Sequence, residues 1–242
     1  MKQITISHLY PKEMNIYGDN GNVLILTKRL EWLGYKVKVL GVGINDNIPS
    51  DTRIIIGGGG QDAGQNDIAQ DLVNRKKSTL MAMANDGVSM LMICGMYQLF
   101  GQYFKTNNGV VIPGIGIFDA YTEAGEKRLI GNIIVQSKKY GQIIGYENHS
   151  GRTIVSSSAN NKALGEVPIG QGNNGEDGLE GCVYNNVFGS YLHGPILSKN
   201  NKLTNNIIEQ ATGKKINITN EKLIFVDNTI EKAKAVAKKL ER

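Results

Sequence analysis

The sequence has 242 residues, of which 40% are hydrophobic and 20% charged, and a formal net charge of +5. This composition is typical of a globular protein with a continuous core, so we expect a single domain over residues 1–242. No apolar run approaches the ~20 residues of a membrane-spanning helix, the N-terminus lacks signal-peptide features and the lysines are scattered, which together predict a cytoplasmic protein and disfavour nucleic-acid binding.

Strands and helices alternate in the first half of the chain. Gly34 and Gly87 follow two apolar-periodic stretches, at positions where helix C-termini favour positive φ. In chain order, we predict strands over residues 2–9, 36–42, 53–56 and 88–94, and helices over residues 22–33, 62–85 and 96–104. This alternation predicts an α/β fold with a central, mostly parallel sheet flanked by helices.

The second half of the chain is less regular. It contains predicted strands over residues 129–136, 142–146 and 183–192, and predicted helices over residues 201–211 and 230–240. Because no predicted helix separates these strands, we expect them to join the sheet in antiparallel orientation.

The chain has two cysteines, too few for a disulfide framework, so each needs its own explanation. Cys94 ends an apolar strand and is followed by Gly95 and a helical stretch, the pattern of a nucleophile elbow. At such a turn the adjacent helix N-terminus favours the thiolate. The alternative is a small buried core residue, and we assign that structural role to Cys182, which has no such turn.

A cysteine nucleophile needs a base, and the chain has only three histidines. His193, in SYLHGP, follows an apolar strand and could reach the same end of the sheet as Cys94. His149, in YENHSGRT, also follows a strand, whereas His8 lies at the end of the first strand and is assigned no role.

Four glycines at residues 57–60 follow the third predicted strand. Glycine backbone lets a ligand approach closely, so these amides, with that of Gly95, could hold an oxyanion. A flexible turn or a phosphate cradle are the alternatives. The chain has no GxxxxGK[ST] pattern, and the GVG at residues 41–43 lacks the third glycine of a dinucleotide fingerprint, which disfavours nucleotide binding.

Five ordered segments, NIYGDNGN, IIIGGGGQD, ICGMYQ, YENHSGRT and SYLHGPIL, resemble the class I glutamine amidotransferases. The resemblance is to the CobB/CobQ-like branch, which holds the glutaminase domains of cobyric acid synthases and the glutaminase subunits of lipid II isoglutaminyl synthases. It covers nearly all the chain and implies the class I amidotransferase fold, with Cys94 as nucleophile and His193 as base. It also implies that Arg128, otherwise a surface residue at a strand start, helps to hold glutamine. We expect the remaining contacts to glutamine from Gly59, Gly60, Gly95, Gln98 and His149.

The sequence departs from the family pattern at two positions. Pro195 stands where the class I triad has glutamate, two residues after the histidine, so the resemblance implies a Cys–His dyad. Met96 stands where relatives have glycine, two residues after the nucleophile, where strand and helix pack closely.

The resemblance implies a glutaminase without cofactor or metal that forms a heterodimer with a Mur ligase-like synthetase, MurT. The glutaminase would supply ammonia, and the partner would amidate D-glutamate of the lipid II stem peptide to D-isoglutamine in peptidoglycan synthesis. Three alternatives remain: the glutaminase subunit of a cobyrinate-type amidotransferase, a non-catalytic scaffold, and a DJ-1-like or peptidase-like cysteine protein.

Overall fold

A computed structural model describes residues 2–156, 161–237 and 239. The strands are Gln3–Leu9 (β1), Lys36–Val42 (β2), Thr52–Gly57 (β3), Ser89–Ile93 (β4), Tyr103–Lys105 (β5), Val111–Pro113 (β6), Ala120–Ser137 (β7), Gly141–Val155 (β8), Gly165–Ile169 (β9), Leu179–Glu180 (β10), Cys182–Tyr184 (β11), Val187–Ser190 (β12) and Leu192–His193 (β13). The helices are Asn20–Trp32 (α1), Asp62–Asp71 (α2), Lys77–Asn85 (α3), Gly95–Phe100 (α4), Ile196–Lys199 (α5), Asn201–Thr212 (α6) and Glu221–Ala237 (α7), and a π turn, Leu72–Lys76, joins α2 to α3.

The first sheet has the order β2-β1-β3-β4-β12-β11, and each pair of neighbouring strands is parallel except β12 with β11. All five residues of β4 are buried, as expected for a central strand covered on both faces. In the register, Gly57 of β3 lies beside Met92, and Ser190 of β12 lies beside Ile93. The carboxyl ends of these three strands therefore meet at one edge, where ligands bind in α/β folds.

The second sheet has the order β10-β9-β7-β5-β6, with β8 pairing with both β7 and β13. Its pairs are antiparallel except for β5 with β7. The predicted α/β class, with a mostly parallel sheet, flanking helices and antiparallel additions, is confirmed; most of those additions form a sheet of their own.

The strands β7 and β8 are longer than the sequence predicts, because they form one long hairpin. Its register shifts between Ala124, which pairs with Gly151, and Leu129, which pairs with His149. Residues 125–128 of β7 therefore bulge opposite Ser150 alone. A bulge re-aims the side chains that it carries, and this one carries Arg128.

The π turn interrupts the helix predicted over residues 62–85. It brings Lys76 against Asp71, five positions earlier, and both side chains are buried. Lys76 also donates to the carbonyl of Gly43 at 3.0 Å, and the Tyr10 hydroxyl donates to Asp71 at 2.8 Å. The i,i+5 spacing of a π turn places the buried Lys76 ammonium against the Asp71 carboxylate. The apolar pattern of the sequence does not indicate this ion pair.

The last helix begins at Glu221, nine positions before its predicted start; residues 238 and 240 of the predicted span lie outside the described part of the chain. Its start follows Asn220, whose side chain accepts from the Lys222 amide at 2.9 Å as a helix cap does.

The predicted helix over residues 96–104 is shorter than expected, because α4 ends at Phe100 and β5 follows. Within residues 2–156 and 161–237, no helix combines the length and apolar character needed to cross a bilayer.

A buried arginine ties three helices together. Arg29 of α1 is 1% exposed and donates to both carboxylate oxygens of Asp227 on α7, at 2.7 and 3.2 Å. It also donates to the Asn205 side chain on α6 at 2.7 Å. A planar guanidinium held by a two-point contact fixes these helices in orientation as well as position.

Candidate active site

Cys94 occupies a sharp turn between β4 and α4. Its φ of 52° and ψ of −108° lie outside the regions that non-glycine residues favour. Its backbone N–H donates to the carbonyl of Ser190 at 2.9 Å, which anchors the turn to β12. The residue is buried and lines a cavity of about 380 Å³ at the carboxyl edge of the parallel sheet. Backbone strain of this kind persists where the surrounding structure holds it, as at functional sites.

His193 lies next to Cys94 across a glycine. A methyl group added at Gly59 would lie 3.2 Å from Cβ of Cys94 and 3.3 Å from Cε1 of His193. The structure therefore brings together two side chains that are 99 positions apart in the chain. A glycine at position 59 leaves room for these two side chains to approach from either side of it.

The imidazole of His193 is neutral at physiological pH. Burial lowers its pKa to about 4, and the positive charge of Arg128 contributes to the same shift. A neutral imidazole can accept a proton from a thiol, which is what a general base requires. Neither ring nitrogen has a hydrogen-bond partner within the described ranges. The ring packs instead against Tyr17, with centroids 4.4 Å apart and planes tilted by 44°.

The glycine loop after β3 is held by a residue that the sequence analysis missed. Asp19, fully buried, accepts the Gly59 N–H at 2.7 Å. Burial raises the pKa of this carboxyl to about 6, against the opposing effect of that hydrogen bond. Since the Gly59 amide is committed to Asp19, the Gly60 and Gly95 amides remain as candidate oxyanion donors. They are close to each other: the Gly60 nitrogen is 3.2 Å from the place that a Cβ on Gly95 would take.

Most residues expected to contact glutamine reach the cavity. Gly60, Gln98, Arg128 and His149 line it, with Tyr17, Gln61, Gln65, Phe104 and Ser150. Arg128 is exposed and donates to the side chain and carbonyl of Asn148, each at 2.9 Å, and to the Tyr17 hydroxyl at 3.3 Å. This last bond links the β7 bulge to the loop before α1 across the mouth of the cavity. Gly59, Gly95 and His193 are not lining residues; Gly59 and Gly95 adjoin the lining residues Gly60 and Cys94, and His193 lies beside Gly59.

The second cysteine and the first histidine, neither of which the sequence analysis assigned to the site, lie in the interior. Cys182 is fully buried in β11, its thiol donates to the Asn161 side chain at 3.4 Å, and burial raises its pKa to about 12. His8 is buried within β1, and burial lowers its pKa. Both positions fit structural roles.

Residues 5–201 match the family model of the CobB/CobQ-like glutamine amidotransferase domain. The chain belongs to this glutamine amidotransferase family. It is accordingly a glutamine-hydrolysing enzyme, which favours glutamine chemistry over a peptidase-like or DJ-1-like activity and an enzyme over a scaffold.

Individual relatives agree with this assignment. The chain is 39% identical over 216 residues to the lipid II isoglutaminyl synthase subunit GatD of Staphylococcus aureus, covering 89% of this chain and 87% of that one. It is 44% identical over 216 residues to the subunit of the same name from Streptococcus pneumoniae, covering 88% and 82%. Among solved structures, PurLQS from Thermotoga maritima superposes with a TM-score of 0.60 at 17% identity, over 86% of this chain and 99% of that one, which shows a shared fold.

The amidotransferase accommodates its two departures from the family pattern by close packing. Met96 is fully buried, and a side chain at Gly57 would come within 2.9 Å of it, so the missing side chain of Gly57 makes room for Met96 in the elbow. Pro195 fills the space beside Gly21 of α1 in the same way. The elbow therefore forms with methionine in place of glycine.

A buried carboxyl supports the amidotransferase site from behind. Glu180 is fully buried and accepts hydrogen bonds from the Ser190 hydroxyl at 2.9 Å and the Tyr191 amide at 2.8 Å. It thereby fixes the backbone that receives the Cys94 amide. Burial raises its pKa to about 7, against these hydrogen bonds, and the negative charge of Glu147 raises it further.

We expect Glu180→Gln to stabilise the protein at alkaline pH. The folded state holds this proton up to about pH 7 and the unfolded chain only to 4.5, so ionisation of Glu180 makes the free energy of unfolding fall between these pH values. Glutamine keeps an acceptor oxygen without the charge, so at pH 8 the variant should be about 1–3 kcal/mol more stable. Urea unfolding at pH 5 and pH 8 measures this, with the exposed Glu176→Gln as control. An equal pH dependence in Glu180→Gln and the unaltered protein would contradict the expectation.

Proposed function

We propose that this chain is the glutaminase subunit of a lipid II isoglutaminyl synthase, with Cys94 as its nucleophile and His193 as its base. The observation that carries the chemistry is the approach of Cys94 and His193 on the two sides of Gly59, at a cavity that Arg128 borders. The observation that carries the pathway is the likeness to two subunits of that name over most of the chain.

In the first half of the reaction, the Cys94 thiol gives its proton to His193, and its sulfur attacks the side-chain carboxamide carbon of glutamine. The Gly60 and Gly95 amides hold the resulting oxyanion; one such donor contributes about 3–4 kcal/mol in other acyl-transfer enzymes. His193 then returns its proton to the departing nitrogen. The C–N bond breaks, ammonia leaves and a γ-glutamyl thioester remains on Cys94.

In the second half, His193 takes a proton from water as the water oxygen attacks the thioester. The C–S bond breaks, glutamate leaves and the proton returns to the sulfur. Water must therefore enter only after ammonia has left toward its acceptor. Ammonia is nucleophilic only until it is protonated, so it needs a sheltered route to a docked partner.

The partner in this proposal is a Mur ligase-like synthetase, MurT, that binds in the cytoplasm as a heterodimer. The chain has no phosphate-binding GxxxxGK[ST] segment, so activation of the acceptor carboxylate by ATP is assigned to the partner. The acceptor is D-glutamate of the lipid II stem peptide, and the product is D-isoglutamine. The whole chain acts as one glutaminase domain.

The test is to purify the tagged chain from its native host with whatever it binds, and supply the complex with ATP, lipid II and glutamine. A Mur ligase-like protein in a 1:1 complex and amidated lipid II by mass spectrometry are expected. With Cys94→Ala, amidation should fail with glutamine and return with ammonium chloride, because the synthetase receives ammonia from solution. A cobyrinate-type synthetase as partner, or glutamine use by Cys94→Ala, would contradict the proposal.

We expect Arg128→Met to weaken glutamine binding. A hydrogen bond between a guanidinium and the substrate carboxylate contributes enough that kcat/KM should fall about 10- to 100-fold, mostly through KM. Because the charge of Arg128 helps to lower the pKa of His193, the acid limb of kcat/KM should also move to higher pH. Steady-state kinetics from pH 4 to 8 measure both effects. Arg53→Met, an exposed change on β3, should alter neither.

A further inference from the structure

Two buried polar atoms on the cavity wall lack partners. Gln65 and His149 line the cavity and are each only 2% exposed. Oε1 of Gln65 and Nε2 of His149 have no hydrogen-bond partner within the described ranges. Buried polar atoms are nearly always hydrogen-bonded in folded proteins, so a pair left open at one cavity indicates atoms that a ligand completes.

The surroundings fix both atoms as acceptors. Nε2 of Gln65 donates to Oε1 of Gln98 at 2.9 Å, which turns the Gln65 oxygen away from Gln98. Nδ1 of His149 lies 2.8 Å from the carbonyl oxygen of Gly151, which only accepts, so the ring proton is on Nδ1. Burial lowers the pKa of His149 to about 3, so its Nε2 carries no proton at neutral pH.

A hydrogen-bonded chain holds the two acceptors in place. Gln98 donates to the Tyr191 hydroxyl at 3.1 Å, and that hydroxyl lies 2.6 Å from the hydroxyl of Thr153. The His149 ring stacks on Tyr191, with centroids 3.6 Å apart and planes 5° from parallel. Gln65 and His149 are therefore linked through Gln98 and Tyr191, and neither can turn away without breaking this network.

We infer that Gln65 Oε1 and His149 Nε2 accept hydrogen bonds from the α-ammonium of the glutamine substrate. This inference rests on the proposed function. An ammonium has three N–H donors and no acceptor, so it fits a site that offers only acceptors. The reacting carboxamide must face Cys94, so the α end of glutamine faces the other residues that line the cavity. Arg128 and His149 line the same cavity, and the charge of Arg128 acts on the His149 ring, so Arg128 can hold the α-carboxylate while His149 and Gln65 hold the α-ammonium.

Gln65 would then select substrates that carry an α-ammonium, and a substrate analogue without this group tests the role of Gln65. Glutaramate has hydrogen in place of the α-ammonium but keeps the carboxamide and the carboxylate. We would measure ammonia release from both substrates by the complex with its synthetase, carrying unaltered protein, Gln65→Met or Gln65→Glu. Gln70→Met, an exposed change on the same helix, is the matched control.

With Gln65→Met, kcat/KM for glutamine should fall about 10- to 100-fold, the usual effect of one hydrogen bond to a charged group, while kcat/KM for glutaramate should stay the same. Gln65→Glu keeps an acceptor, since Gln98 can turn its amide to donate, and should preserve the preference for glutamine. Equal losses with both substrates, or no loss with either, would overturn the inference. Absence of ammonia release from glutamine by unaltered protein would contradict the proposed function and this inference with it.

Discussion

Cys94→Ala should leave no measurable hydrolysis of glutamine. The proposed reaction passes through a thioester on this sulfur, and alanine offers no atom that could replace it. In a comparable hydrolase, loss of the nucleophile lowers kcat by about 10⁶-fold, so glutamate release should fall to the uncatalysed background. The measurement is glutamate formation by the complex with its synthetase, in the presence of ATP and lipid II.

The second cysteine supplies the matched control. Cys182→Ala should retain glutaminase activity, because its thiol is fully buried in β11 and lies outside the cavity lining. Iodoacetamide should label one thiol in native protein and in Cys182→Ala but none in Cys94→Ala, since burial raises the pKa of Cys182 to about 12. Equal activity of Cys94→Ala and unaltered protein would refute the proposed nucleophile.

His193→Asn should lower kcat by about 10²–10⁴-fold, the range that general acid–base catalysis contributes. Asparagine can fill much of the space beside Gly59 but cannot take the thiol proton. The effect should lie in kcat rather than KM, because His193 acts on the sulfur and on the leaving nitrogen and does not anchor the α groups of glutamine.

The pH profile distinguishes a base from a residue that only packs. His193 acts as a base when neutral, and its pKa is lowered to about 4, so kcat/KM should hold through pH 6.5 and fall as pH drops through about 4. His193→Asn should lose this limb. His8→Asn, a change of another buried histidine, should keep it. Circular dichroism at each pH separates unfolding from titration, and a limb unaltered in His193→Asn would assign it to another group.

Sequence reasoning predicts the parallel sheet because its signals are local. The apolar run ending at Cys94 indicates a strand covered on both faces, and the following glycine indicates a tight turn. The second sheet was harder to predict, because the bulge that carries Arg128 depends on the register between two strands. The π turn likewise depends on a buried partner, Asp71, for Lys76.

The residues of the candidate site likewise fall into two groups, those that the local sequence indicates and those whose role depends on contacts in space. Cys94, His193 and the glycine loop are chemically distinctive residues at strand ends, so the sequence indicates them. Asp19 and Gln65 carry no such signal: one lies in a turn-rich segment and the other within a helix. Their importance arises from what they meet in space, an amide 40 positions away for Asp19 and a cavity for Gln65.

The contacts that Arg29 makes with α6 and α7 determine how far the chain can be shortened from its C-terminal side. The family match ends at residue 201, yet Arg29 is held by Asn205 and Asp227, which lie beyond it. The α6 helix also covers the sheet, with the Ser89 hydroxyl of β4 donating to the Ile207 carbonyl at 3.3 Å. A fragment cut at the family boundary would expose apolar surface beneath β4, the strand that leads into the turn at Cys94. We therefore expect a fragment that folds by itself to extend through α7.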